Sequence, residues 1–86
     1  MKPIVYSQHA CDQMSNREVT ETEVEMAILE GEIVPAKKGR LGFRKNFRFE
    51  SEWKGKYYEI KQVMPIVAEE QDQYVVITVY AFYFGG

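Results

Sequence analysis

Over residues 41–49 the chain alternates: Leu41, Phe43, Phe47 and Phe49 are apolar, with Gly42, Arg44, Asn46 and Arg48 between them. A period of two predicts a half-buried strand with Arg44, Asn46 and Arg48 on one face. Residues 50–56, Glu-Ser-Glu-Trp-Lys-Gly-Lys, break the pattern and predict a turn. A second strand returns over residues 57–64, with Glu59 and Lys61 opposite Tyr58, Ile60 and Met64; Pro65 limits its extension. An acidic turn over residues 69–73 leads to a last strand, residues 74–84, apolar on both faces and rich in β-branched and aromatic residues. That composition suits a central strand.

Before Pro35 the period is helical. Residues 4–6 are a short apolar lead into Ser7, a candidate N-cap for a helix from Gln8 to about Asn16. Ala10 and Met14 mark its apolar side with Cys11 as a small core residue, and His9 and Gln13, four residues apart, share an adjoining face. A second helix opens at Thr20 with Glu23 three residues on, the spacing of a capping box. Val24, Ala27 and Ile28 keep the period until Gly31 stops it. The expectation is one α+β domain over residues 1–86. Two N-terminal helices pack on one face of a three- to four-stranded antiparallel sheet and leave the other face partly open.

Charge sharpens this picture. Residues 1–32 carry two Lys/Arg against seven Asp/Glu, residues 33–64 nine against three, and residues 65–86 none against three, for net charges of -5, +6 and -3. A near-neutral chain thus holds a basic hairpin between acidic segments. Clustered cations on a rigid sheet suit a polyanion, RNA first. Arg40, Arg44, Lys45, Arg48, Lys54 and Lys61 are the candidate RNA-binding residues. The plain alternative is a solvated hairpin paired with its own carboxylates, although surface ion pairs contribute only about 0–1 kcal/mol each.

Candidate chemistry is sparse. His9 is the only histidine and Cys11 the only cysteine, so no metal site or cofactor is expected. One imidazole serves as an acid or base near neutral pH. Arginine forks grip phosphate at two points. Phosphodiester cleavage without a metal needs cations for the developing charge and one group to move a proton. The candidate catalytic set is therefore His9, Arg44 and Arg48, with Tyr80, whose hydroxyl could reach an open sheet face. Trp53 is expected to be partly exposed in its turn; Phe43, Phe47, Phe82 and Phe84 are expected in the core. No stretch is long and apolar enough to span a bilayer, and the first residues lack a signal-like apolar run, so a cytoplasmic location is expected.

Several segments in order resemble a family of small bacterial domains of unknown function. They are Tyr6-Ser7-Gln8-His9-Ala10, Met14, Arg17, the helix from Thr20 to Gly31, Phe43-Arg44-Lys45-Asn46-Phe47, Trp53-Lys54-Gly55-Lys56-Tyr57-Tyr58, Lys61-Gln62-Val63 and Thr78-Val79-Tyr80-Ala81-Phe82-Tyr83-Phe84. That family looks related to the RelE/ParE-like toxins, and most closely to BrnT-like ribonuclease toxins. The resemblance implies two N-terminal helices on a small antiparallel sheet, RNA as substrate and a cognate antitoxin as partner. In BrnT-like sequences arginine commonly follows the early histidine by four residues; here that position is Gln13, and Arg17 stands one turn further on.

Two functions follow as expectations. The first is an RNA-binding domain, with metal-independent endoribonuclease activity if its catalytic set is assembled. The second is a non-enzymatic protein-interaction module whose basic hairpin grips an acidic segment of a partner.

Overall fold

A computed structural model describes residues 2–85. Its elements run β1 (Ile4–Tyr6), α1 (Gln8–Arg17), α2 (Glu21–Glu30), β2 (Glu32–Pro35), β3 (Leu41–Trp53), β4 (Lys56–Glu69) and β5 (Tyr74–Phe84). The five strands form one sheet in the order β1-β5-β4-β3-β2. Most neighbours are antiparallel, but β1 runs parallel to β5, pairing Ile4 with Tyr74 and Tyr6 with Val76.

This corrects the expected antiparallel sheet of three to four strands and the toxin-like layout drawn from it. The fold remains α+β, but the sheet is mixed and has five strands. The two additional strands, β1 and β2, span three and four residues, too short to display a period. What makes them strands is a partner far along the chain or across a loop. β2 lies at the sheet edge against the start of β3, so Pro35 leaves no ladder bond unmade on its outer side.

The long hairpin also differs from its expectation. The connection is only Lys54–Gly55, both at positive φ (52° and 82°), closing a Trp53–Lys56 pair. Two consecutive positive φ values match the twist that antiparallel strands need. Pro65 does not end β4. The strand runs on to Glu69, and the β3–β4 ladder lapses between Lys45↔Val63 and Gly42↔Ile66, where Pro65 has no N–H to give. β4, not β5, is the central strand. β5 is flanked by β1 only over its first three residues, so its outer edge is free of strand pairing from Ile77 onward.

The helices form as their sequences require. Ser7 accepts from the Ala10 N–H at 3.0 Å. Thr20 and Glu23 complete a reciprocal capping box at 3.1 and 2.9 Å. Both helices pack on one face of the sheet, where Ala10, Met14, Val24, Ala27 and Ile28 meet Phe43, Val63, Val67, Val76 and Val79 in a single core. Cys11, expected inside, is exposed. Among the described residues no helix is long and apolar enough to cross a membrane.

Candidate functional site

Alternation along three strands sorts the side chains onto two faces, and register fixes which share one. Asn46 opposes Gln62, which opposes Phe82; Arg48 opposes Ile60, which opposes Phe84; Met64 opposes Tyr80. All of these lie on the face away from the helices. Tyr80, Phe82 and Phe84 are 40%, 44% and 42% exposed there, so Phe82 and Phe84, expected in the core, are not in it. Phe43 is buried and Phe47 packs partly against the core, as alternation requires of the opposite face.

The tyrosine and phenylalanine rings at 80 and 82 are nearly parallel, with centroids 6.2 Å apart. From the edge of β5 the Arg17 guanidinium stands 5.8 Å from the Tyr80 ring centre, while donating to the Val79 carbonyl at 3.0 Å. Cations border this strip on β3, but they are not free. Arg44 forks onto Glu32, its register partner on β2. Arg48 is only loosely paired with Glu50, at 3.7 Å with most of its side chain in water. Asn46 accepts a 2.8 Å hydrogen bond from the Gln62 amide.

At the other end of the same face the β2–β3 loop forms one wall of a cavity of about 420 Å³. Lys37, Lys38 and Arg40 supply its cations; Ile66, Thr78 and Tyr80 supply its floor. A short 3-10 turn, Lys37–Gly39, holds the loop, with Lys38 and Gly39 at positive φ of 62° and 70°. Among the described residues none of these three cations forms an ion pair. Sequence reasoning singled out Arg40 but passed over Lys37 and Lys38, although the run Lys-Lys-Gly-Arg after Pro35 was visible.

The remaining candidates lie elsewhere. Lys61 is on the helix side, 5% exposed, donating to the Glu18 carbonyl at 2.6 Å and to Glu23 at 3.0 Å. It does not join Arg44 and Arg48. Lys45 is also on the helix side and pairs with Glu30 at 3.3 Å. Lys54 sits at the hairpin tip, 5.4 Å from the Trp53 ring centre. His9 is exposed on α1 and lines neither this cavity nor a second one on the helix side. Of the expected catalytic set, then, the structure gathers Arg44, Arg48 and Tyr80 on one face and leaves His9 apart from them. Among the described residues no group of three or more His, Cys, Asp or Glu is placed to hold a metal ion.

A family described as a domain of unknown function, DUF4258, matches residues 6–81. The chain belongs to the DUF4258 family. No curated protein and no solved structure matches it. The matched span of the DUF4258 domain takes in both helices, the cationic loop and Tyr80, and stops just short of Phe82 and Phe84.

Proposed function

We propose that this DUF4258 domain binds single-stranded RNA across its open sheet face, with bases on Tyr80 and Phe82 and phosphates on the Lys37–Arg40 loop and Arg48. The observation that carries the reading is the juxtaposition of exposed aromatic rings with three cations that have no carboxylate partner among the described residues. Unpaired bases stack on aromatic side chains, and cations beside such a platform track the backbone. Leaving an apolar strip of this kind exposed to solvent gains nothing for the isolated domain, since an exposed ring forgoes its transfer free energy.

The reading is binding rather than cleavage. The one histidine is not on this face, and the relation to RNA-cleaving toxins that the motifs suggest does not by itself supply a proton-transfer group where the phosphates would lie. A second reading, a protein-interaction module, rests on a different observation: Leu29 near the end of α2 and Ile33 on the following strand β2 are each 62% exposed.

Anisotropy of a labelled single-stranded oligoribonucleotide, measured across a salt series, tests the proposal. Replacing Lys37, Lys38 and Arg40 together by alanine should reduce the slope of log affinity against log salt by roughly 2. Tyr80→Ala with Phe82→Ala should weaken binding about 10- to 100-fold at an unchanged slope. Should neither set of changes alter affinity, the open face is not an RNA surface.

A further inference from the structure

The second cavity, about 360 Å³, opens on the helix side between the end of α1 and the tip of the β3–β4 hairpin. Gln13, Asn16 and Arg17 line it from α1, Trp53 and Lys54 from the hairpin and Tyr83 from β5. Its aromatic wall is fixed: the Trp53 and Tyr83 rings stack at 4.7 Å and 11°, and the Tyr83 hydroxyl donates to the Arg17 carbonyl at 2.9 Å. Two cationic residues, Arg17 and Lys54, line the cavity. Arg17 gives one N–H to the Val79 carbonyl, and a guanidinium has five. Lys54 stands 5.4 Å from the Trp53 ring centre. Neither forms an ion pair among the described residues.

The carbonyls at the end of a helix would repel an anion. Three of the last four are occupied, since the Glu18 N–H takes those of Met14 and Ser15 and Tyr83 takes that of Arg17, which leaves the Asn16 carbonyl without a partner among the described residues. Glu18 and Glu23 lie near Tyr83 but do not line the cavity, and Glu23 is held by Lys61 at 3.0 Å. What remains is a concave polar site with two cations that form no ion pair among the described residues, two amides and a stacked Trp–Tyr pair on one side. Its size lies at the small-ligand end of the usual range.

We propose that this cavity binds a phosphate monoester carried on a flat heterocycle, the ring against the Trp53–Tyr83 wall and the phosphate between Arg17 and Lys54. A nucleotide is the simplest such ligand, either free or as the 5′-terminal residue of an RNA. The site lies on the helix side of the sheet, although Arg17 also borders the open face, its guanidinium 5.8 Å from the Tyr80 ring centre.

Trp53 is the only tryptophan of the chain, so its emission reports on this cavity alone. Adenosine 5′-monophosphate, titrated into the full chain with excitation at the red edge of the indole band, should change that emission saturably, and adenosine should act about tenfold more weakly. Lys54→Asn, chosen because asparagine tolerates the positive φ of that turn, should also cost about tenfold. Arg17→Lys, which keeps a donor for Val79, should weaken binding too. The Arg44→Ala/Arg48→Ala variant should bind as wild type does. Short oligoribonucleotides with a 5′-phosphate or a 5′-hydroxyl separate the two sources: an effect of the phosphorylated one assigns the site to RNA ends, and an effect of the free nucleotide alone assigns it to a small molecule. The proposal is overturned if emission shows no saturable change with any of these ligands up to about 10 mM, far weaker than a millimolar site requires. Equal binding of adenosine and its monophosphate, or loss of the response in the Arg44/Arg48 variant, overturns it as well.

Discussion

Lys61 sits among the basic residues of the middle segment yet faces inward, because the side-chain period of a strand is two and its neighbours Ile60 and Gln62 take the open face. Its ammonium is satisfied by the Glu18 carbonyl and the Glu23 carboxylate, and that carboxylate also accepts the Thr20 N–H at 2.9 Å. Lys61 thus ties the start of α2 and the end of α1 to the central strand. Lys61→Met should leave RNA affinity unchanged and cost about 2 kcal/mol in a urea unfolding titration, since a half-buried carboxylate and a carbonyl lose their partner. A loss of RNA affinity at unchanged stability would instead return Lys61 to the binding surface. Charge counting could not separate Lys61 from Arg48. Counting from the apolar residues of its own strand places it opposite Tyr58, Ile60 and Met64, and the register adds that this is also the side away from Arg44 and Arg48.

Among the elements, the junction of α2 and β2 leaves the least room. At Gly31 an added Cβ would lie 2.4 Å from the Ala27 carbonyl oxygen and 2.9 Å from that of Arg44. Both obstacles are backbone, so neither can swing aside. Gly31 has an ordinary φ of -76° and is needed for space, not for conformation. Gly31→Ala should destabilise the domain by about 2–3 kcal/mol and lower its melting temperature, with the damage centred where α2 meets β3. The starts of both helices and the end of α2 at Gly31 were legible because caps are local chemistry, whereas α1 runs to Arg17, past its expected end at about Asn16. The hairpin was legible in kind but not in length, since only a two-residue turn at positive φ explains strands that run to Trp53 and from Lys56. β1 and β2 were not legible, because a three- or four-residue strand is defined by its partner. The same holds for the candidate site. Arg44 and Arg48 followed from alternation and Tyr80 from a hydroxyl that could reach an open face, whereas the exposure of Phe82 and Phe84 depends on a missing layer that no local pattern records.

For the molecule as a whole, two tyrosines at opposite ends of the sheet set its response to alkali. Burial first, then the nearby carboxylates Glu21 and Glu25, push the Tyr6 hydroxyl from 10.0 to about 12. Burial first, then Glu23 and Glu18, do the same for Tyr83, likewise to about 12. Unfolding returns both to 10.0, so the folded chain holds protons that the unfolded chain gives up. Their contribution is complete below pH 10 and is lost as pH climbs towards 12. Urea midpoints should therefore fall between pH 10 and 12, and Tyr83→Phe should fall less steeply than wild type. Identical slopes would mean that Tyr83 ionises in the folded state as freely as in the unfolded one.

The parallel pairing of β1 with β5 has a consequence in time. Ser7, at the entrance to α1, donates its hydroxyl to Ile77, seventy positions along the chain, and α1 rests chiefly on that same strand. Closing so long a loop is entropically costly, and pairings between distant segments are slow to form. On a ribosome the first helix emerges early but lacks its seat until β5 has been made. The β3–β4 hairpin closes on itself well before that. Within this domain, the helix made before its seat is thus among the last elements to settle.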